Sequence, residues 1–215
     1  MVERDHTGTS ALEFIPERVT MTSLREAAAG CRGCPLYKRA TRTVFGEGRR
    51  SARVVLVGEQ PGHEEDLQGL PFVGPAGRVL DEALDAAGLA RGDAYVTNVV
   101  KHFKWIPQGK RRMHKKPGAR EIAACLPWLE REIALIRPKV LVCLGATAAQ
   151  SLLGRDFKVT ERRGEIVPTS LADHAVATIH PSAILRVPSR EQRHREMDRF
   201  VHDLHVVATL LARAA

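Results

Sequence analysis

A chain of 215 residues with 44% hydrophobic content can bury one substantial core but is short for two ordinary domains without a visible linker. A single domain is therefore expected over residues 21–215, after a loosely held lead-in over 1–20. The formal net charge of +8 favours an anionic partner. No run approaches the roughly 18 consecutive apolar residues that cross a bilayer, and residues 1–20 lack a basic-then-apolar export pattern, so a cytoplasmic protein with no membrane partner, and a monomer, is expected. Reducing cytosol keeps thiols free, so the four cysteines read as ligands, nucleophiles or core rather than disulfides.

The first predicted element is a helix opened by a capping-box pattern at Ser23-Leu24-Arg25-Glu26 and closed near Gly30. Four runs of branched apolar residues follow, at 53–58, 94–99, 139–144 and 175–179. Each reads as a buried parallel strand. Helical stretches lie between and after them, at 77–88, 119–136, 146–153 and 191–212. Alternation of strand and helix predicts a three-layer α/β/α sandwich around a four-stranded parallel sheet.

Every predicted strand runs straight into polar chemistry. Glu59-Gln60-Pro61-Gly62 follows the first, Asn98 closes the second, Gly145-Ala146-Thr147 follows the third, and His180-Pro181-Ser182 follows the fourth. Open parallel sheets bind ligands at the carboxyl ends of their strands, so the four segments are expected to share one pocket.

Cys31-Arg32-Gly33-Cys34 sets two sulfurs on one tight turn, able to reach a single metal centre. Cys125 falls on a predicted helix and Cys143 inside a predicted strand. Four soft ligands suit zinc or an iron-sulfur cluster, and the wide spacing of the second pair tilts toward a cluster. Cys125 and Cys143 also read simply as small core residues.

Five motifs stand in the order found in iron-sulfur uracil-DNA glycosylases: Cys31-x-x-Cys34-Pro35-Leu36, Gly58-Glu59-Gln60-Pro61-Gly62, Pro71-Phe72-Val73-Gly74-Pro75-Ala76-Gly77, Thr97-Asn98-Val99-Val100-Lys101 and His180-Pro181-Ser182. The resemblance spans about residues 31–186. It implies a uracil-DNA glycosylase-like fold and a structural 4Fe-4S cluster on Cys31, Cys34, Cys125 and Cys143. Gln60, where hydrolytic members carry Ala, and the basic stretch Gly109-Lys110-Arg111-Arg112-Met113-His114 resemble the UdgX branch, which stays covalently joined to its DNA. Met113 departs from the Ile of that branch.

These residues fit base excision from single- or double-stranded uracil-containing DNA, because an extruded uracil needs an aromatic face and edge-reading hydrogen bonds. Phe72 is placed to stack and Asn98 to read the edge, with Gly58 and Gly62 shaping the site. His180 is expected to donate to the uracil oxygen as negative charge develops. His114 is expected to attack the sugar, helped by Glu59 and with Gln60 positioning the loop or a water. Lys110, Arg111, Arg112, Thr147, Ser182 and Arg186 are the expected DNA contacts. Glu64, Glu65 and Asp66 read as helix-start or loop-fixing groups.

Two other functions stay open at this level. One is a hydrolytic glycosylase of the same fold with normal turnover. The other is a non-catalytic, zinc-stabilised nucleic-acid-binding module, in which the basic loop only grips phosphates and Phe72, Asn98 and His180 are structural.

Overall fold

In the computed structural model, which describes residues 10–213, the strands are β1 (Val54–Gly58), β2 (Ala94–Asn98), β3 (Trp105–Gln108), β4 (Arg111–His114), β5 (Val140–Leu144), β6 (Ile166–Val167) and β7 (His174–Thr178). The helices are α1 (Met21–Ala29), α2 (His63–Gln68), α3 (Pro75–Ala86), α4 (Ala119–Ile136), α5 (Ala146–Leu153), α6 (Val159–Arg162), α7 (Pro181–Leu185) and α8 (Arg190–Arg213). The main sheet has the order β2-β1-β5-β7-β6. Its first four strands are parallel and correspond to the four predicted runs.

The sheet has one strand more than expected. Ile166–Val167 pairs antiparallel to β7 at the edge, and two residues are too few to give a periodic signal. A separate antiparallel hairpin, β3–β4, occupies the stretch expected to be a basic loop.

Alternation along the strands divides the core. Val55, Val57, Leu141 and Ala177 pack with Leu24 of α1 and with Trp128 and Leu129 of α4. Val54, Leu56, Val142 and Val176 pack on the opposite face with Leu80 of α3 and Phe200 and Leu204 of α8. The inner strands β1 and β5 are buried along their whole length, which is why they read as continuous apolar runs.

Two expectations at the chain start change. The α1 cap is Thr20, whose hydroxyl accepts from Ser23 N at 3.0 Å while Ser23 Oγ accepts from Thr20 N at 2.9 Å; the box begins three residues earlier than predicted. Residues 1–9 lie outside the described residues, but the rest of the expected lead-in is anchored through Ala11, Phe14, Ile15 and Val19, which pack against the core. Ala11 is fully buried in a single turn of 3-10 helix (Ala11–Phe14) that meets α4. Ser10 and Ala11 press so closely on Gly33 that a Cβ there would lie 2.7 Å from their backbone.

Strand register sets the site. Gly58 pairs with Asn98, and Leu144 pairs with Thr178, so β1, β2, β5 and β7 end side by side. After β1 the chain crosses to β2 on one side, whereas β5 and β7 lie on the other. The crevice between β1 and β5 is therefore a topological switch point.

Candidate active site

A cavity of ≈ 440 Å³ opens at that crevice. Its lining brings together Glu59, Gln60, Phe72, Asn98, His114 and His180, with Gly62, Thr147, Ser182 and Arg186. The expected convergence of four strand ends is thus present, joined by the end of β4.

One wall is built for a flat ring. Phe72 is 6% exposed and has φ 55, a left-handed conformation that is costly for an aromatic residue and therefore held by its surroundings. Gly77 makes that turn possible, since a Cβ at this α3 position would lie 1.8 Å from Phe72 O. The Asn98 amide lies alongside, and its Oδ1 is buried with no hydrogen-bond partner among the described residues. Gly58 lies directly beneath; a Cβ there would come within 2.4 Å of Asn98 Oδ1 and 2.7 Å of Phe72 Cζ. An orphaned buried acceptor beside an aromatic face is costly unless a ligand completes it.

His180 caps α7 and has a fixed proton arrangement. Ser182 N donates to His180 Nδ1 at 3.2 Å, so Nδ1 is the unprotonated nitrogen and Nε2 carries the hydrogen. Arg186 Nη1 donates to Ser182 Oγ at 2.9 Å, and that hydroxyl lies 2.8 Å from His180 Nδ1. Burial, with Arg186 and His114 adding to it, pushes the His180 pKa down to about 4. The ring is therefore a neutral hydrogen-bond donor, 5.7 Å from the Phe72 ring centre.

Opposite stands His114, at the end of β4. Gln60 is the residue that holds it. Its Oε1 accepts from Lys104 N at 3.0 Å and its Nε2 donates to Lys115 O at 3.0 Å, which fixes the orientation of the amide. The same Nε2 lies 2.8 Å from His114 Nε2. Glu59 Oε1 is 3.5 Å from that nitrogen, and its Oε2 accepts from Thr147 Oγ1. Burial lowers the His114 pKa, opposed by Glu59 and assisted by Arg186.

The expected DNA contacts divide. Lys110, Arg111 and Met113 point into solvent on the outer side of the hairpin. Arg112, two residues from His114, is turned inward instead. Its Nη1 donates to the fully buried Asp66 at 2.6 Å and to Thr41 Oγ1 at 3.1 Å, while Nε donates to His63 Nδ1 at 3.0 Å. The guanidinium also lies over the Phe103 and Trp105 rings. Arg112 is thus occupied inside the protein rather than free for phosphate, and the Thr147 hydroxyl is likewise used by Glu59. Asp66 also accepts from Thr41 N and Arg42 N, and Glu65 accepts from Gly62 N and Gly74 N. Both acidic residues fix loops.

Three of the cysteines gather. Cys31 and Cys34, in the turn that follows α1, and Cys125 of α4 are all buried, and Cys125 feels the charge of Cys34 and Cys31. Trp128 Nε1 donates to Cys31 Sγ at 3.3 Å and Lys101 N to Cys125 Sγ at 3.2 Å. Burial pushes the Cys125 thiol up to about 12, so without a cation it stays protonated, and among the described residues no group of three or more His, Cys, Asp or Glu side chains stands at metal-binding spacing. Cys143 stands apart: it sits inside β5 with zero exposure, and burial alone raises its pKa.

Sequence reasoning missed two further features. Lys101 and Glu132 form a fully buried ion pair beneath Asn98. The hairpin had a usable signal in Gly109-Lys110, a two-residue loop led by a glycine with φ 58.

A stacking face, an unpaired amide and a neutral histidine donor at a switch point define a pocket for a flat, hydrogen-bonding ring, flanked by a basic surface. The family model for the uracil DNA glycosylase superfamily matches residues 45–205, and the chain belongs to that superfamily and is a uracil-DNA glycosylase. It is 39% identical over 189 residues to the Type-4 uracil-DNA glycosylase of Thermotoga maritima, covering 87% of this chain and 90% of that one. The Type-4 uracil-DNA glycosylase of Pyrobaculum aerophilum is 38% identical over 176 residues, 79% of this chain and 86% of the relative. A Type-5 uracil-DNA glycosylase of Thermus thermophilus is more distant, at 32% over 167 residues, 70% of this chain and 73% of the relative.

Proposed function

We propose that this glycosylase removes uracil from DNA and retains the abasic sugar on His114. The observation that carries this reading is the 2.8 Å approach of Gln60 Nε2 to His114 Nε2 at the cavity edge, which keeps that imidazole nitrogen unprotonated beside the site.

Uracil enters against Phe72, and Asn98 reads its edge. The bond between the sugar C1′ and uracil N1 breaks with its electron pair on the base, and His180 Nε2–H stabilises the developing oxyanion. The His114 Nε2 lone pair, giving up its hydrogen bond from Gln60 Nε2, then forms a bond to C1′. The resulting imidazolium loses its Nδ1 proton to solvent, and uracil takes up a proton to leave neutral. Glu59, 3.5 Å from His114 Nε2, favours the cationic sugar and imidazolium that precede proton loss. Lys110 and Arg111 contact phosphates on the outer face of the hairpin, and Ser182 and Arg186 extend the contact beside α7.

Cys31, Cys34 and Cys125 are the candidate holders of a 4Fe-4S cluster: they are buried, within charge range of one another and supplied with N–H donors to sulfur, although they do not stand at metal-binding spacing in this arrangement. Such a cluster would tie the Cys31–Cys34 turn to α4 as a structural element. The fourth ligand position, given to Cys143 by resemblance, has no support from its surroundings.

The test is a denaturing gel after incubation with single-stranded uracil DNA, alongside a measurement of released uracil. A persistent protein-DNA band that disappears in His114→Ala supports the trapping step. Release of uracil without a band in the wild type makes the enzyme hydrolytic.

A further inference from the structure

The end of β2 rests on a buried ionic group that the excision chemistry does not use. Lys101 has a side chain only 1% exposed, and its ammonium donates to Thr97 Oγ1 at 2.7 Å, to Asn98 O at 2.9 Å and to Glu132. Glu132, on α4 with zero exposure, also accepts from Gly46 N at 3.0 Å, Tyr95 OH at 2.8 Å and Thr97 Oγ1 at 3.0 Å. Every donor and acceptor of the pair is engaged.

Such a pair has little value for stability, because the cost of desolvating two charges offsets their attraction and well-packed apolar residues do as well. Its geometric effect is specific. The peptide between Asn98 and Val99 is held on both sides: Lys101 binds its carbonyl oxygen, and Val99 N donates to Gly58 O at 3.0 Å. Fixing that plane fixes the direction in which Asn98 projects its side chain, whose Oδ1 has no other partner to steady it. The next turn is held as well, by Val100 N donating to Glu59 O at 3.0 Å. Edge reading of a base tolerates little displacement, and among the described residues no hydrogen bond to Asn98 Oδ1 would restore its aim.

We infer that Lys101 and Glu132 are positioning residues for uracil recognition, acting through the Asn98 backbone. The inference rests on the assignment of Asn98 as the edge reader. It separates base recognition from DNA binding, since the pair is buried away from the basic face of the hairpin.

The experiment compares wild type, Asn98→Ala, the double variant Lys101→Met/Glu132→Leu and the triple combination. Removing both charges together avoids stranding one of them. Three quantities are measured: affinity for free uracil, affinity for DNA containing a stable abasic-site analogue, and the thermal midpoint. The double variant is expected to bind uracil about ten-fold more weakly while abasic DNA affinity stays within about two-fold, and the triple variant to lose little beyond Asn98→Ala, as coupled residues do. Equal loss of uracil and abasic DNA binding, or additive losses in the triple variant, overturns the inference. If the double variant fails to fold, Glu132→Gln, which keeps the shape of the side chain, is measured in the same way and with the same outcomes. Weaker uracil binding in Asn98→Ala but not in the pair overturns the inference alone; no change in Asn98→Ala overturns the edge-reader assignment and the inference with it.

Discussion

Gln60 and His114 meet through their Nε2 atoms at 2.8 Å, and the contact determines where the proton of His114 resides. The amide of Gln60 is locked by Lys104 N and Lys115 O, so its Nε2 can only donate and the imidazole nitrogen can only accept. The same amide joins the two ends of the β3–β4 hairpin. Gln60→Ala removes both functions, and adduct formation in single-turnover gels is expected to slow by about ten-fold or more, the usual scale for a misplaced reacting group. Gln60→Glu is expected to be worse for stability, because a carboxylate has no hydrogen to offer Lys115 O; a loss of about 1–3 kcal/mol in denaturant unfolding is the expected result.

Arg112 and Arg111 are adjacent in sequence and opposite in function. Arg111 stands in solvent, whereas Arg112 is joined to the fully buried Asp66 at 2.6 Å. Arg111→Ala is expected to weaken DNA binding and reduce its salt slope by about 1, the signature of one lost phosphate contact. Arg112→Ala is expected to leave the slope unchanged and to destabilise the fold by about 3–5 kcal/mol, since it strands a buried carboxylate. Thr41 N and Arg42 N still reach Asp66, which places the loss toward the lower end. Binding isotherms at several salt concentrations and urea unfolding check the pair.

The central sheet was legible in the sequence because β1 and β5 are buried along their whole length and show as unbroken apolar runs, with β2 and β7 as shorter branched apolar stretches beside polar residues. The predicted bounds of α4 and α5 coincide with the observed ones, each helix being opened by Gly118 or Gly145 immediately before it. Convergence of Glu59, Asn98 and His180 followed from their places at the carboxyl ends of predicted parallel strands. Apart from the Gly109-Lys110 turn, the hairpin was hard to read, because its residues are polar and its position is set by Gln60 and Asp66, distant in sequence. Arg112 read as a phosphate contact for the same reason: composition gives charge but not the direction in which a side chain points. The Lys101–Glu132 pair was hidden similarly, since neither residue advertises burial until α4 packs against β2.

Acid sensitivity follows from His102 and His180. Burial pushes both down to about 4, from an ordinary value of 6.5. Between those values the unfolded chain takes up protons that the folded chain refuses, so stability is full above about pH 6.5 and falls as pH drops toward about 4. His102 is 5% exposed and bonded to Thr43 Oγ1 at 2.9 Å, and its share of the loss is on the order of 3 kcal/mol. Urea midpoints measured across this window are expected to decline with acidity, and His102→Gln to flatten the decline. A midpoint independent of pH from 7 down to about 4.5 would show that these rings are solvated in the folded protein.

The cysteines make the sharpest division between resemblance and surroundings. Cys125 receives an N–H from Lys101 and senses Cys31 and Cys34, whereas Cys143 is flanked within the sheet by Val57 and Ala177. Cys125→Ser is expected to yield colourless protein with little iron, and to loosen the turn that bears Cys31 and Cys34. Cys143→Ala is expected to keep its iron and brown colour and to lose only about 1 kcal/mol from a slightly underfilled core, the scale of one deleted group. Iron analysis and the visible spectrum of the two purified variants decide the matter. Loss of iron from Cys143→Ala would mean that β5 supplies a ligand after all, and that holding the cluster draws this strand and α4 together more tightly than their packing alone requires.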